Sequence, residues 1–409
     1  RREDDGQGGV RVGVLGAGEV RRVPETLPLG EAAARALASR LEEYAVGSDE
    51  YSAWRAAVTS SAPREARLAG VQFEGLQWVA PSYLETVSTI RPGDVVDVNR
   101  IGRDAQLMAV LDEIDSVSYR LEGDPAHPTL VWMPVEASVG PDVLLPSLGL
   151  YASGSGQLKF QVGARYARRW LNERGAEWHT DFELGYETSL TTAFHQPLDV
   201  AHRWFVEPAA FAIRTTEDLY VDGDRLATYD FVEVGGRVEL GWNVARRAQA
   251  RLGYVNSGRR SNVSVGPALL PDVDARDAGL SVQVSFDSRD RESLATEGFA
   301  AQAEYYEIQD ALGGDRDWRR AEVGARFALP LRRNVAWIGA AAGSDLGSDV
   351  PIDRAFRLGG ARTLPAYSFD ELRTRAYWLA SASFMWHLLD LVAVKDQSLY
   401  AGLGLQWAG

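Results

Sequence analysis

The chain has 409 residues, 45% of them hydrophobic and 24% charged, with a formal net charge of −14 and no cysteine. Its mean hydropathy of −0.21 comes without any run near the roughly 18 apolar residues of a membrane-spanning helix, so helical membrane proteins are excluded while alternating membrane strands are not. The acidic balance argues against a nucleic-acid partner, and the missing cysteines exclude disulfides, zinc thiolates and a cysteine nucleophile.

In chain order, Val10 to Leu15 reads as one buried strand and Gly30 to Tyr44 as an Ala-rich helix with Leu37, Leu41 and Tyr44 on one face. A strand and a helix close no core alone, so residues 1–60 are expected to be the tail of a domain whose body lies elsewhere. Residues 66–139 hold the order strand, helix, helix, strand, strand: Val71 to Phe73, Pro81 to Thr89, Val98 to Leu111, Ser116 to Leu121 and Thr129 to Val135. A turn at Arg91-Pro92-Gly93-Asp94 separates the two helices. Any small α+β domain can share that order.

From Gly140 to Gly409 the period becomes 2. Val232, Val234, Val238, Leu240, Trp242 and Val244 alternate with Glu233, Gly235, Arg237, Glu239 and Asn243, and similar runs cover Trp178 to Leu190 and Ala278 to Phe286. Trp170, Trp178, Trp204, Trp242, Trp318, Trp337, Trp378, Trp386 and Trp407 fall in or beside strands, the placement of aromatic girdles. Short turns such as 245–247 and 331–334 alternate with longer excursions at 256–275 and 344–373. The expected fold is therefore mainly β, an antiparallel transmembrane barrel preceded by the small α+β domain, with about thirteen strands. Polar wall residues such as Asp181, Glu183, Arg237, Glu239 and Arg289 are expected to face a solvated lumen, and an odd strand count suggests a chain cut at both ends.

These segments together resemble the rear portion of a patatin-like phospholipase joined to an outer-membrane barrel, the type Vd autotransporter arrangement. Gly30-Glu31-Ala32-Ala33 and Tyr51-Ser52-Ala53-Trp54-Arg55 match the end of the lipase domain. Pro92-Gly93-Asp94 matches the Gly-Asp turn of a polypeptide-transport-associated (POTRA) domain, here Gly93 and Asp94. The barrel is similar to the BamA-like superfamily of sixteen strands: Gly140-Pro141 resembles the entry to its first strand, and Gln196-Pro197-Leu198-Asp199 the turn after its fourth. Asp287, Arg289, Asp290 and Gly298 resemble its periplasmic turn. Arg357, Gly359 and Gly360 have the spacing of its lumen loop, which in the family is closed by Arg-Gly-Phe or Arg-Gly-Tyr. Here Pro365-Ala366-Tyr367 departs from that closure, leaving Tyr367 in place and Arg362 as a shifted source of charge.

The resemblance implies an outer-membrane location with a periplasmic POTRA domain, contact with outer-membrane lipid, a phospholipid substrate for the lipase portion, and a possible homodimer. The chain contains no G-x-S-x-G, so a Ser-Asp dyad is expected outside it. Ser153-Gly154-Ser155-Gly156 reads as a hairpin loop, and the glycines at 13, 16 and 18 lack the βαβ setting of a phosphate loop. His127, His179, His195, His202 and His387 show no metal spacing, and no cofactor is expected. Two other functions fit the pattern: a BamA-like assembly or secretion pore without an enzyme, and a soluble β-rich binding protein.

Overall fold

A computed structural model describes residues 31, 34–38, 42–60 and 66–409, apart from 154–155, 222, 245–246, 268–269, 292–293, 361–362 and 391–397. The expected strand at Val10 to Leu15 and the Gly30 end of the first helix lie outside these residues, as do Arg362 and part of the 245–247 turn. Helix α1 spans Ser48–Ser60 and contains Tyr51 to Arg55.

The small domain consists of β1 (Gly70–Phe73), α2 (Pro81–Val87), α3 (Val98–Ala109), β2 (Ile114–Asp124) and β3 (His127–Glu136). Strand β3 is central, parallel to β1 and antiparallel to β2. Pro81 starts α2 at the position where a missing N–H costs nothing, and Asp97 caps α3 by accepting from the Asn99 and Arg100 amides at 2.9 and 3.2 Å. Leu84, Ile101, Met108, Leu130 and Trp132 fill the core at no more than 1% exposure. Helix α2 ends two residues before the expected Thr89, because Ser88 is extended and buried Asp104 of α3 accepts from its hydroxyl at 3.0 Å and from the Thr89 amide at 2.6 Å. Glu136 closes the β1–α2 connection by accepting from the Gln77, Trp78 and Val79 amides.

The rest is a thirteen-stranded antiparallel meander: β4 (Asp142–Ala152), β5 (Leu158–Arg168), β6 (Glu177–Gly185), β7 (Glu187–Pro197), β8 (Trp204–Val221), β9 (Asp224–Val244), β10 (Ala248–Val265), β11 (Asp274–Asp287), β12 (Gly298–Ile308), β13 (Trp318–Leu331) and β14 (Asn334–Ser344). Two three-residue strands, β15 (Phe356–Leu358) and β16 (Leu372–Thr374), pair within the connection that follows β14, and β17 (Ala376–Asp390) and β18 (Ser398–Ala408) complete the sheet. The small domain meets one rim, where Tyr83 of α2 stacks on His202 at 4.4 Å and lies 5.4 Å from Trp170.

The wall is inside out by the standard of a soluble protein. On β9 Val232, Val234, Val238, Leu240, Trp242 and Val244 are 40–58% exposed, while Glu233 is 9% and Glu239 3% exposed. On β11 Leu280, Val282, Val284 and Phe286 face out while Asp277 and Ser281 are buried. Apolar side chains outward and charges inward is the polarity of a wall solvated by lipid.

Three expectations are corrected by the structure. Trp170 packs against the small domain, buried Trp318 donates to Asp277, and Trp337 donates to the Ala295 carbonyl, so these three indoles are spent on internal contacts; the other six are 42–51% exposed. The alternating run Trp178 to Leu190 is two strands, because the chain reverses at Gly185-Tyr186 and Tyr186 turns into the lumen to bond Asp370. Residues 256–265 continue β10 instead of forming a loop. There the outward positions become Asn256, Gly258 and Arg260, and the loss of apolar alternation disguises a strand that has outgrown the bilayer. Arg289, just past the end of β11, pairs with Asp287 and lines a cavity on the inward side with Ser285, Gln302 and Gln406. Strands β8, β9 and β10 reach 18, 21 and 18 residues against 11 for most others.

Replacing Val282 by Arg puts a charge on the lipid face; unfolding in lipid vesicles is expected to show a loss of about 2–4 kcal/mol.

Candidate functional site

The 345–375 connection folds into the lumen and is held by charge. Glu217 on β8, 2% exposed, accepts from three guanidiniums: Arg357 at 2.7 Å, Arg373 at 2.9 Å and Arg259 at 3.0 Å. Glu233 on β9 takes Arg354 in a two-pronged contact at 2.9 Å for each bond, plus Arg259 at 3.1 Å and the Ser257 hydroxyl at 2.7 Å. Asp277 on β11 accepts from Arg354, Arg316 and the Trp318 indole at 2.8, 2.8 and 3.0 Å. Asp353, in the connection itself, pairs with Arg316 at 2.9 Å and Arg259 at 3.4 Å. Four carboxylates and five guanidiniums thus share one buried network, which leaves a single surplus positive charge. Buried charges persist only when paired and hydrogen-bonded in this way.

Each side of the network follows from sequence. The inward phase of β8, β9 and β11 carries Glu217, Glu233 and Asp277, while the loop supplies Arg354, Arg357 and Arg373 from the short 3-10 turn Ile352–Arg354 and the β15–β16 pair. Of the residues singled out by sequence, Arg357 is in the network. Gly359 and Gly360 shape the loop behind it: with φ of 125° and 83°, a Cβ on them would lie 2.1 Å from the Ser368 carbonyl oxygen and 2.3 Å from the Phe369 ring. Tyr367 is 41% exposed and takes no part, although its carbonyl accepts from Gly360 at 3.2 Å. Arg362 lies outside the described residues; among those described, Arg354, Arg357 and Arg373 bring the loop's positive charge into the network. Arg354 and Arg373 were missed because they flank the motif instead of standing in it; the signal was an excess of arginine across 354–375 facing inward carboxylates 77 to 156 residues upstream.

The loop has a second hold on the opposite wall. Phe369 donates its amide to Gln157 at 3.1 Å, the Tyr186 hydroxyl bonds Asp370, and the Lys159 ammonium sits 3.6 Å from the Tyr186 ring centroid and 4.5 Å from that of Phe369. Beneath the network a cavity of about 440 Å³ extends toward a smaller cluster, where Arg251 bridges Glu207 and Glu239 at 3.1 and 2.9 Å and His195 lies 2.9 Å from Glu207.

At the rim near the small domain, Asp290 accepts from the Thr296 amide and hydroxyl at 2.8 and 2.6 Å and from the Glu297 amide at 3.1 Å. Partial burial works to raise its carboxyl, but the bonds from Thr296 and Glu297 outweigh it and hold the pKa below the usual aspartate range. Gly298 is required beside it, since a Cβ there would lie 2.5 Å from the Ser288 carbonyl oxygen. In the small domain Gly93 donates to the Leu68 carbonyl at 2.8 Å, and Asp94 accepts from the Arg91 amide at 3.0 Å and pairs with Arg100 at 3.1 Å.

Three variants test these contacts. Glu217→Gln leaves buried guanidiniums short of charge and is expected to cost about 3–5 kcal/mol in thermal or denaturant unfolding. Asp181→Asn, in the more exposed pair with Arg165, is expected to cost under about 1 kcal/mol. Because the folded pKa of Asp290 is depressed, its contribution is complete above the unfolded value, about 3.9, and fades as pH falls through the lower folded value. Asp290→Asn therefore lowers stability at neutral pH and flattens the acid limb of the heat-stability curve.

Comparison with known proteins agrees with this geometry. The Omp85 superfamily domain matches residues 147–404. Among solved structures, BamA from Haemophilus ducreyi lacking POTRA domains 1–3 is similar at 15% identity and a TM-score of 0.60, covering 85% of this chain and 73% of that one. CdiB from Acinetobacter baumannii (9% identity, TM-score 0.50) covers 84% of this chain and 64% of its own, and CdiB from Escherichia coli (14%, 0.50) covers 80% and 63%. The chain thus spans less than two thirds of either CdiB. No curated protein matches. An outer-membrane wall, apolar outside and charged within, with a POTRA-like α+β domain at its periplasmic rim and a salt-bridged loop in its lumen, completes the assignment: the chain belongs to the Omp85 superfamily.

Proposed function

We propose that this protein assembles or translocates polypeptides at the outer membrane, with residues 66–139 as its POTRA domain and 140–409 as its barrel. The observation that carries the reading is the lumen loop. It is anchored to β8, β9 and β11 by Arg354, Arg357 and Arg373 and to the β4–β7 side through Phe369 and Asp370, beside a small apolar cluster of Phe356, Leu358 and Tyr377, so much of its hold on the wall is polar and reversible. Ion pairs and hydrogen bonds can exchange with water or with an entering chain at less cost than packed apolar contacts.

A second reading is favoured by residues 30–33 and 51–55, which resemble the end of a patatin-like lipase domain, the latter within α1. In it the POTRA domain and barrel anchor or translocate a lipid acyl hydrolase acting on phospholipid, residues 1–60 being the end of that enzyme, and the protein pairs as a homodimer.

The full reading frame, reconstituted in phospholipid vesicles, is expected to speed the insertion of a urea-unfolded outer-membrane barrel about tenfold over empty vesicles, a barrier reduction of about 1.4 kcal/mol. No acceleration, combined with fatty-acid release from vesicle phospholipid, would overturn the first reading in favour of the second. Light scattering in detergent reads the homodimer directly.

A further inference from the structure

The lipid-facing wall carries a depression that nothing described so far uses. It is a groove of about 630 Å³ across β7, β8 and β9, floored by Pro208, Ala210 and Gly236 and walled by Trp178, Phe194 and Tyr254. Its floor is low because these residues have little or no side chain, and its walls are high because the aromatics on either side are among the largest residues. At the same place the ladder is incomplete. Strands β7 and β8 pair in one register through Ala193↔Ala209 and again from Gln196↔Val206, but not where Phe194 meets Pro208, which has no N–H to give.

The depth of the groove follows from the register. Trp204 stands opposite Trp242, Val206 opposite Leu240 and Pro208 opposite Val238, all on the outward phase. The two indoles stack at 5.6 Å and 13° near the periplasmic rim, where amphipathic rings mark the headgroup level. Four residues at about 3.3 Å each, tilted by about 45°, place Pro208 about 9 Å above them, inside the hydrocarbon of the periplasmic leaflet. Below the indoles, Arg203 is 68% exposed through its side chain and lies 3.6 Å from Asp199, and Arg247 is exposed as well. Both line a cleft at the rim together with Trp242, a cleft whose far side carries Asp112, Glu113 and Asp287.

We infer that this groove is a phospholipid-binding site, one acyl chain lying over Pro208, Ala210 and Gly236 between the aromatic walls and the phosphate held at the rim by Arg203 and Arg247. The occupant follows from the surroundings. The groove is continuous with a face already solvated by lipid, and a depression left empty in hydrocarbon forfeits dispersion contacts on every wall. A flexible acyl chain fills an irregular trough of this kind, and the guanidiniums below complement a phosphodiester. A partner strand is disfavoured, because β7, β8 and β9 are interior strands whose ladder groups point to their neighbours within the sheet and not into the groove.

The test uses the protein reconstituted into vesicles of phosphatidylethanolamine and phosphatidylglycerol, re-extracted in mild detergent and weighed by native mass spectrometry, with heat-modifiable gel migration as the check of folding. The wild type is expected to retain phospholipid. Ala210→Phe, which fills the trough, is expected to lower retention about tenfold, the equivalent of losing contact with about two methylenes. Ala325→Phe, an outward alanine on β13 away from the groove, is expected to leave it unchanged. Arg203→Glu is expected to reduce phosphatidylglycerol retention without touching the trough, and it decides the matter if Ala210→Phe fails to fold. Equal retention by Ala210→Phe and wild type, equal loss in Ala325→Phe, or unchanged phosphatidylglycerol retention in Arg203→Glu would each overturn the site. So would a wild-type dimer that Ala210→Phe splits, which assigns the groove to a second copy of the chain.

Discussion

A carboxylate such as that of Glu217, 2% exposed and yet charged, is tolerable only while guanidiniums surround it. Three reach it, and two of those, Arg357 and Arg373, belong to the loop. The dependence runs both ways. The barrel wall needs the loop to neutralise its inward acids, and the loop, whose apolar hold is the small cluster around Phe356 and Leu358, needs those acids to place its guanidiniums inside. Four carboxylates against five guanidiniums makes the lumen a network in which each side chain is ordered by several partners, which lowers the entropy cost per pair relative to isolated bridges. Removal of one member therefore strands several others.

The outer surface obeys the complementary constraint. Every lipid-facing backbone group must find its partner in the neighbouring strand, and between strands the meander supplies it at most positions, with β4 and β18 each paired on one side. Pro208 is an exception on that surface. It sits where the lumen side is already committed to Phe205, His195 and Glu207, with the His195 and Phe205 rings 4.4 Å apart. The polar cluster inside and the depression outside are two faces of one thin place in the wall.

Much of this was readable from residue order. Period-2 alternation marked the strands wherever they cross lipid, because there one face must be apolar, and strand, helix, helix, strand, strand gave the small domain its order. Reading failed where lipid no longer dictates the pattern. Residues 256–265 lost their apolar phase beyond the bilayer and passed for a loop, and Trp170, Trp318 and Trp337 passed for girdle residues because sequence does not reveal which indoles already have internal partners. The loop motif pointed to the right segment through Arg357, Gly359 and Gly360. The guanidiniums at 354 and 373 were hidden because their partners lie 121 and 156 residues away, at Glu233 and Glu217.

The unequal strand lengths have a consequence for what the cell surface presents. Strands of 18 to 21 residues beside others of 11 make the rim lopsided. Above β8 to β10 the excess of roughly seven to ten residues corresponds to a parapet some 16–23 Å high at a 45° tilt. It is stiffened by ladder pairing and studded with opposite charges such as Arg214 with Asp230 and Arg260 with Asp274. Anything approaching from outside meets a ladder-paired ribbon on that side and low turns on the other, so the outer face is approached most closely from the side of the short strands.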